Sequence, residues 1–317
     1  MAATMDVVTE MDEAVRRLAE GSRLPPFLYG IGPDDARRAL RLIQAPPAGA
    51  PGVEHRIAEV PGTHGPVRVH VVTPAGPPVR RPAVLYAHGG GWLTGGWSTH
   101  HRLATRMCRE TGATVVMPAY TRVPEARYPV AISQLKDVLD WVRSEAPLID
   151  PHRIALVGDC AGATMTASLA LSERTAARAL VLLYPLGLPA PGDASAREYA
   201  TGAVLRLTDV RHLISRYAPR AASYTDPLAA VDVAGLPPTL LITAEADPTR
   251  DAAERFGDRL RSAGVPVTAA RYLGTVHDFA VLDALRWTPA AAAALGQVTD
   301  HLRTAFGLPL PTSSEAA

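Results

Sequence analysis

The sequence predicts an α/β chain built on a mostly parallel sheet with helices on both faces. Two observations carry this. Short apolar runs of strand length recur at 83–87, 113–117, 154–157, 180–183 and 240–243, mostly Val, Ile or Leu, as in strands buried on both sides. Between them lie helix-like segments at 100–111, 129–145, 161–175 and 251–264. Alternation of this kind gives parallel pairing with helical crossovers.

The remaining elements follow in order. Val7, Met11, Ala14, Val15 and Leu18 have helical spacing, predicting a helix over 6–20. Pro33 with Asp34 and Asp35 marks the start of a second, over 33–44. The stretch APPAGAPG at 45–52 reads as a linker or turn, which makes residues 1–50 an addition to a core spanning 51–308. Residues 66–71 alternate apolar and polar as a half-buried strand does, and VTAARYL at 267–273 is strand-like. Residues 186–225, rich in Pro, Gly, Ala and Arg, break the alternation and predict an insertion over one end of the sheet. A closing helix is expected over 288–306, with the alanine run at 290–294 as filler, and 309–317 reads as a disordered tail. No internal repeat is present.

Composition excludes several functions. The 317 residues are 47% apolar and 20% charged, with 32 basic against 31 acidic residues and a net charge of +1. That balance offers no electrostatic footprint for nucleic acid or an anionic membrane. No run of 18 apolar residues provides a membrane span, and the acids among the first 20 residues do not fit a signal peptide. Two cysteines, Cys108 and Cys160, make no disulfide scaffold and predict a cytoplasmic setting. The single lysine, Lys136, beside 31 arginines reads as a GC-rich coding bias.

Three signals carry chemistry, each at a strand end, where parallel sheets place ligands. The first is His88-Gly89-Gly90-Gly91-Trp92. Consecutive glycines let backbone N–H groups approach a ligand and stabilise an oxyanion, although such a loop also serves as a plain turn. The second is Gly158-Asp159-Cys160-Ala161-Gly162, the nucleophile-elbow frame G-x-S-x-G with Cys in place of Ser. A lone cysteine is commonly a small core residue; in this frame it becomes a candidate nucleophile. The third is the pair Asp247 and His277, each after a strand, in the order nucleophile, acid, histidine. Asp251 reads as part of a helix start, and Asp278, adjacent to His277, points away from it in an extended segment. Trp92 and Tyr184, just past their strands, are the candidate substrate contacts. The ten histidines show no metal-ligand spacing, and His100-His101 read as solvated neighbours. No phosphate-binding loop implies a nucleotide, so neither metal nor cofactor is expected.

Together these residues resemble the hormone-sensitive-lipase-like family of α/β-hydrolases, in its bacterial esterase branch, from about residue 10 to residue 305. HGGGW matches the family's oxyanion loop, and residues 120–129 its Y-x-x-x-P-E-x-x-F/Y-P segment. DPTRD at 247–251 resembles its D-P-L-x-D motif, and H-D-F its H-G/D-F motif. The resemblance implies an eight-stranded sheet, with residues 1–50 and 186–225 as a helical cap. It implies Asp247 as the acid, His277 as the base and the N–H groups of Gly89, Gly90 and Ala161 as oxyanion donors, with His88 shaping the loop. The chain departs from the family's G-D-S-A-G-G at Ala163 and, informatively, at Cys160.

A thiol ionises near pH 8.5, lower beside a histidine or a helix N-terminus, so Cys160 and His277 are expected to rest as thiolate and imidazolium. The predicted product is a thioester acyl-enzyme. This points to a Cys-dependent acyl-processing enzyme that hydrolyses an ester, lactone or thioester, or transfers or cyclises the acyl group, in specialised-metabolite biosynthesis. The rivals are a plain short-chain carboxylesterase, a small-molecule binder on a retired hydrolase fold, and a non-acyl reaction using His277 as base. Pro25, Pro26, Phe27, Leu28 and Tyr29 suggest an apolar lid, hence an apolar acyl substrate, though they equally suit packing on the core. An exposed edge strand would allow a homodimer.

Overall fold

The computed structural model describes residues 12–144, 148–174, 177–219 and 226–310. Two helices, α1 (Glu13–Gly21) and α2 (Pro33–Leu42), precede the strands. The first seven residues of the helix expected at 6–20 lie outside the described residues or before its start, as do residues 220–225 of the expected insertion and 311–317 of the tail. Asp12 caps α1 by accepting from the Ala14 N–H at 2.8 Å, and Pro33 opens α2.

Eight strands form one sheet: β1 (Val53–Val60), β2 (Val67–Pro74), β3 (Arg81–Ala87), β4 (Thr114–Pro118), β5 (Ile149–Asp159), β6 (Ala179–Leu183), β7 (Thr239–Ala246) and β8 (Val267–Val276). Their spatial order is β1-β2-β4-β3-β5-β6-β7-β8. The β1–β2 and β2–β4 pairings are antiparallel and the others parallel. The inner parallel strands β3, β4, β6 and β7 are largely continuous apolar runs because both faces are covered. Helix α3 (Trp97–Thr111) packs with the closing helix α9 (Pro289–Ala305), and α4 (Val130–Ser144) with α5 (Ala161–Ser172). Helix α5 is buried along nearly its whole length at the centre of the fold. Gly162 makes that possible: a Cβ there would stand 2.0 Å from the Ala87 carbonyl oxygen.

Between β6 and β7 lie the short helix α6 (Ala194–Glu198) and α7 (Leu207–Tyr217); α8 (Arg250–Ser262) follows β7. Strand β1 was absent from the elements expected of the sequence. Its residues VEHRIAEV are mostly exposed at the sheet edge, so no apolar alternation marks it. No helix among the described residues is long and apolar enough to cross a membrane.

The antiparallel edge is joined by an aromatic stack. His55 Nε2 and His70 Nδ1 are 3.0 Å apart, and both rings stack on Trp97, with centroids at 4.0 and 4.7 Å. Burial, helped by His55 and Arg68, pushes His70 down to about 4 from an ordinary 6.5. His70 therefore stays neutral where the unfolded chain would protonate. Its contribution to stability is full above pH 6.5 and is lost as pH falls from there to about 4. Unfolding of His70→Phe in urea at pH 7 and pH 5 should show a smaller acid loss of stability than the parent. An identical loss in both proteins would place the acid sensitivity elsewhere, the deeply buried His88 being the next group to examine.

Candidate active site

Strand β5 runs into α5 through a single residue, Cys160, whose φ of +51° and ψ of −125° lie outside the comfortable regions for an L-residue. The turn is held by the Cys160 N–H, which donates to the Leu183 carbonyl at 2.9 Å, and by the bare backbone of Gly158 and Gly162. Such a turn lifts its central side chain to the C-terminal edge of the sheet.

Asp247 stands after β7 and His277 after β8, both about 1% exposed. His277 Nδ1 donates to Asp247 Oδ2 at 2.6 Å. The other carboxylate oxygen accepts from the Thr249 N–H at 2.8 Å and the Thr249 hydroxyl at 2.9 Å. Asp247 is thus fixed by three hydrogen bonds, and His277 Nε2 is left facing Cys160 Sγ within 4.8 Å. Burial alone would lower the His277 pKa, but Asp247, with Cys160 and Asp278, outweighs it and holds the imidazole well above its ordinary range. The three residues expected to act together are brought together. Asp251 is elsewhere, accepting from the Ser195 N–H at 2.9 Å.

Three expectations are corrected. The first concerns the thiol: burial pushes Cys160 up, and this together with Asp278 and Asp159 outweighs the opposing pull of His277. Cys160 is therefore favoured as a thiol rather than the expected thiolate, while His277 keeps the expected imidazolium. The second concerns Gly89, whose N–H donates to Asp159 Oδ1 at 3.1 Å and is not directed at a ligand. Gly90 and Gly91 line the cavity beside Cys160 instead, both at positive φ. The third concerns the substrate contacts. Trp92 is buried with its ring stacked nearly parallel on that of Tyr217 at 4.4 Å, and Tyr184 is buried edge-on to His277 at 5.2 Å. Neither side chain lines the cavity, because each closes the core behind it.

The sequence reading also missed His100. It is buried, not solvated, and its Nε2 lies 3.3 Å from Asp159 Oδ2. His88 shapes the loop: its Nδ1 donates to the Gly89 carbonyl at 2.7 Å, and its ring stacks on Tyr120 at 4.3 Å. Burial pushes His88 down to about 3, so it remains neutral.

A cavity of about 300 Å³ opens over Cys160 and His277. Its walls come from Leu18, Leu28, Ile31 and Leu40 of the N-terminal segment and from Leu205 and Leu213 of the segment between β6 and β7. No charged side chain other than His277's neighbour Asp278 and the buried His100 faces it among the described residues.

A strained strand–helix turn followed by a buried acid and a histidine, on a sheet of this order, defines the α/β-hydrolase class. Residues 84–281 match the family model described as the alpha/beta hydrolase fold, and the chain belongs to this family, in the hormone-sensitive-lipase-like branch that its motifs resemble. It is 33% identical to the carboxylesterase NlhH of Mycobacterium tuberculosis over 88% of this chain and 92% of that protein. It is 29% identical to the ethyl acetate hydrolase of Pseudomonas putida over 82% of this chain and 86% of that protein. Among solved structures, a thermostable esterase from Pseudomonas putida superposes with a TM-score of 0.88 at 31% identity, over 94% of this chain and 98% of that one.

Asp247 is the main source of the raised His277 pKa. Asp247→Asn should therefore lower the His277 pKa, read by NMR titration of the ring nitrogens. An unchanged titration would show that another group holds that proton.

Proposed function

We propose that the protein is a carboxylesterase that cleaves esters of small apolar acyl groups through a thioester on Cys160. The observation that carries this reading is the hydrogen-bonded line from Thr249 through Asp247 to His277, ending in an Nε2 that faces the elbow cysteine. The esterase relatives support ester cleavage. They favour plain hydrolysis over the acyl transfer in specialised metabolism that the cysteine first suggested.

In this reading the ester carbonyl sits over Cys160. With His277 in its neutral form, Nε2 takes the thiol proton as the sulfur attacks, and the carbonyl π pair moves to oxygen. The N–H groups of Gly90, Gly91 and Ala161 meet that oxyanion; Ala161 heads α5, where N–H groups lack helical acceptors. His277 then gives its proton to the departing alkoxide, leaving acyl-Cys160. Water repeats the sequence: His277 takes its proton, the C–S bond breaks, and the thiol recovers the proton. Asp247 keeps the imidazole in the productive tautomer throughout. The two leucine-rich segments around the cavity act as the cap and select an apolar acyl chain.

The resting thiol has a consequence. Serine alkoxide chemistry relies on a hard nucleophile made in the act, whereas sulfur is nucleophilic with little assistance. Intact-protein mass spectra after brief exposure to p-nitrophenyl acetate should show a gain of one acyl group on the parent and none on Cys160→Ala, with turnover in that variant down by at least about 10³-fold. Adduct without turnover would favour transfer to an acceptor other than water. Full turnover by Cys160→Ala would overturn the mechanism.

A further inference from the structure

Asp278 has no part in the chemistry above, yet it occupies a costly position. Its φ is +63°, in the left-handed region that among side chains mainly Asn and Asp tolerate. Its carboxylate lines the cavity, with Oδ1 buried and without a hydrogen-bond partner. His277 Nε2, 3.7 Å away, is also buried without one. A buried polar atom left unpaired costs about 1–3 kcal/mol. The two form an ion pair too long for a hydrogen bond, beside a thiol, and a common partner between them would satisfy both. Cys160 Sγ, His277 Nε2 and an Asp278 oxygen all lie within 4.8 Å of one another.

We propose that Cys160, His277 and Asp278 form a zinc-binding site, and that a bound Zn²⁺ holds the protein in an unreactive state. Sulfur, imidazole nitrogen and carboxylate oxygen are the three donor types zinc takes, at about 2.0–2.3 Å. Bonds of that length place tetrahedral ligands about 3.3–3.8 Å apart. The 3.7 Å His277–Asp278 pair already spans one such edge. The sulfur has at most about 1 Å to close, within the reach of a cysteine χ1 adjustment. The outer shell is built as well. Zinc-ligating histidines donate their second nitrogen to a carboxylate, and His277 Nδ1 does so to Asp247 at 2.6 Å. The fourth position faces the cavity and would hold water. A soft thiolate beside an imidazole selects zinc over magnesium or calcium, which take oxygen ligands.

The sequence hides this site because its ligands come from two strand ends more than a hundred residues apart. Binding replaces the Cys160 thiol proton, released to solvent, by the metal; nothing is oxidised or reduced. Zinc then occupies the sulfur and Nε2 lone pairs that acylation needs, so metal and acyl group exclude one another. That exclusion rests on the proposed esterase mechanism, whereas the binding itself does not.

The test uses the full chain stripped with EDTA. Zinc titrated against a chromophoric chelator should bind at one equivalent, and Co²⁺ should give a thiolate-to-metal absorption band. Cys160→Ser should abolish that band. Asp278→Asn and Asp247→Asn should each weaken zinc at least about tenfold, as the loss of a ligand or of its outer-shell carboxylate does. Thermal melts of each variant show that it is folded. Absence of stoichiometric binding, or binding equally tight in Cys160→Ser and Asp278→Asn, would overturn the proposal. In a second arm, one equivalent of zinc should suppress the acyl adduct, and EDTA should restore it. An adduct that forms equally on the zinc-loaded protein would overturn the exclusion. If neither adduct nor turnover appears with or without metal, the esterase mechanism fails, while the chelator and cobalt measurements still decide the zinc site.

Discussion

A buried carboxylate holds the active face of this protein together. Asp159, fully shielded from solvent at the end of β5, accepts from the Tyr86 hydroxyl at 2.6 Å and the Gly89 N–H at 3.1 Å, and pairs with His100 at 3.3 Å. Burial would raise its pKa, but His100, with Tyr86 and His88, outweighs this and keeps it ionised. Burial would likewise neutralise His100, and Asp159 prevents it. The pair is therefore a buried salt bridge, whose net contribution to stability is small but whose disruption leaves an uncompensated charge, a loss of roughly 3–5 kcal/mol. Its role is positional: one side chain binds β3, the glycine loop and α3 to the residue next to Cys160. The approach is so close that a Cβ on Gly89 would fall 2.2 Å from Asp159 Oδ2. The elbow and the glycine loop are a single rigid unit for this reason.

The roof of the site is fastened separately. Arg37 on α2 donates to the carbonyls of Leu93 at 3.0 Å and Val123 at 2.9 Å, and grips Glu125 with both ends of its guanidinium at 2.6 and 2.7 Å. Arg37 holds the Glu125 carboxyl down at about 2. The bidentate pairing and the carbonyl contacts give the N-terminal segment a fixed height above the glycine loop. The two roof segments are also tied to one another: the Ser22 hydroxyl accepts from the Val204 N–H at 3.1 Å, and Asp209 Oδ1 from the Tyr29 N–H at 3.2 Å. Movement of one segment must pull on the other, so substrate entry through the roof involves both.

What was legible in the sequence follows a physical division. The inner parallel strands were readable because burial on both faces makes them uninterrupted apolar runs, as in 180–183 and 240–243. The residues Cys160, His277 and Asp247 were readable because a sharp turn needs glycines at set positions and because strand ends lie in sequence order. Strand β1 was not, since an edge strand with one exposed face and charged residues has no pattern to read. The role of His100 was hidden because its partner lies 59 residues away and neighbouring His101 gives the pair a solvated look. The Gly89 assignment failed for the same reason: which N–H of a glycine run is free depends on a carboxylate that local sequence does not place there.

The state of the thiol shows the same dependence on three-dimensional surroundings. A helix N-terminus and a nearby imidazole both favour thiolate, and sequence discloses both. Three features oppose them: complete burial, the ionised Asp159 one residue earlier, and Asp278 across the cavity. Two of these are carboxylates whose fields reach Cys160 through a low-dielectric interior, where charge interactions are several-fold stronger than in water. The balance falls on the neutral thiol. Asp278, with Asp247 and Cys160, also favours the protonated form of His277. A site that raises both pKa values favours the proton on the sulfur and on the imidazole alike. In the proposed reading the thiol therefore gives up its proton only as an electrophile, carbonyl carbon or metal ion, takes up the sulfur's lone pair.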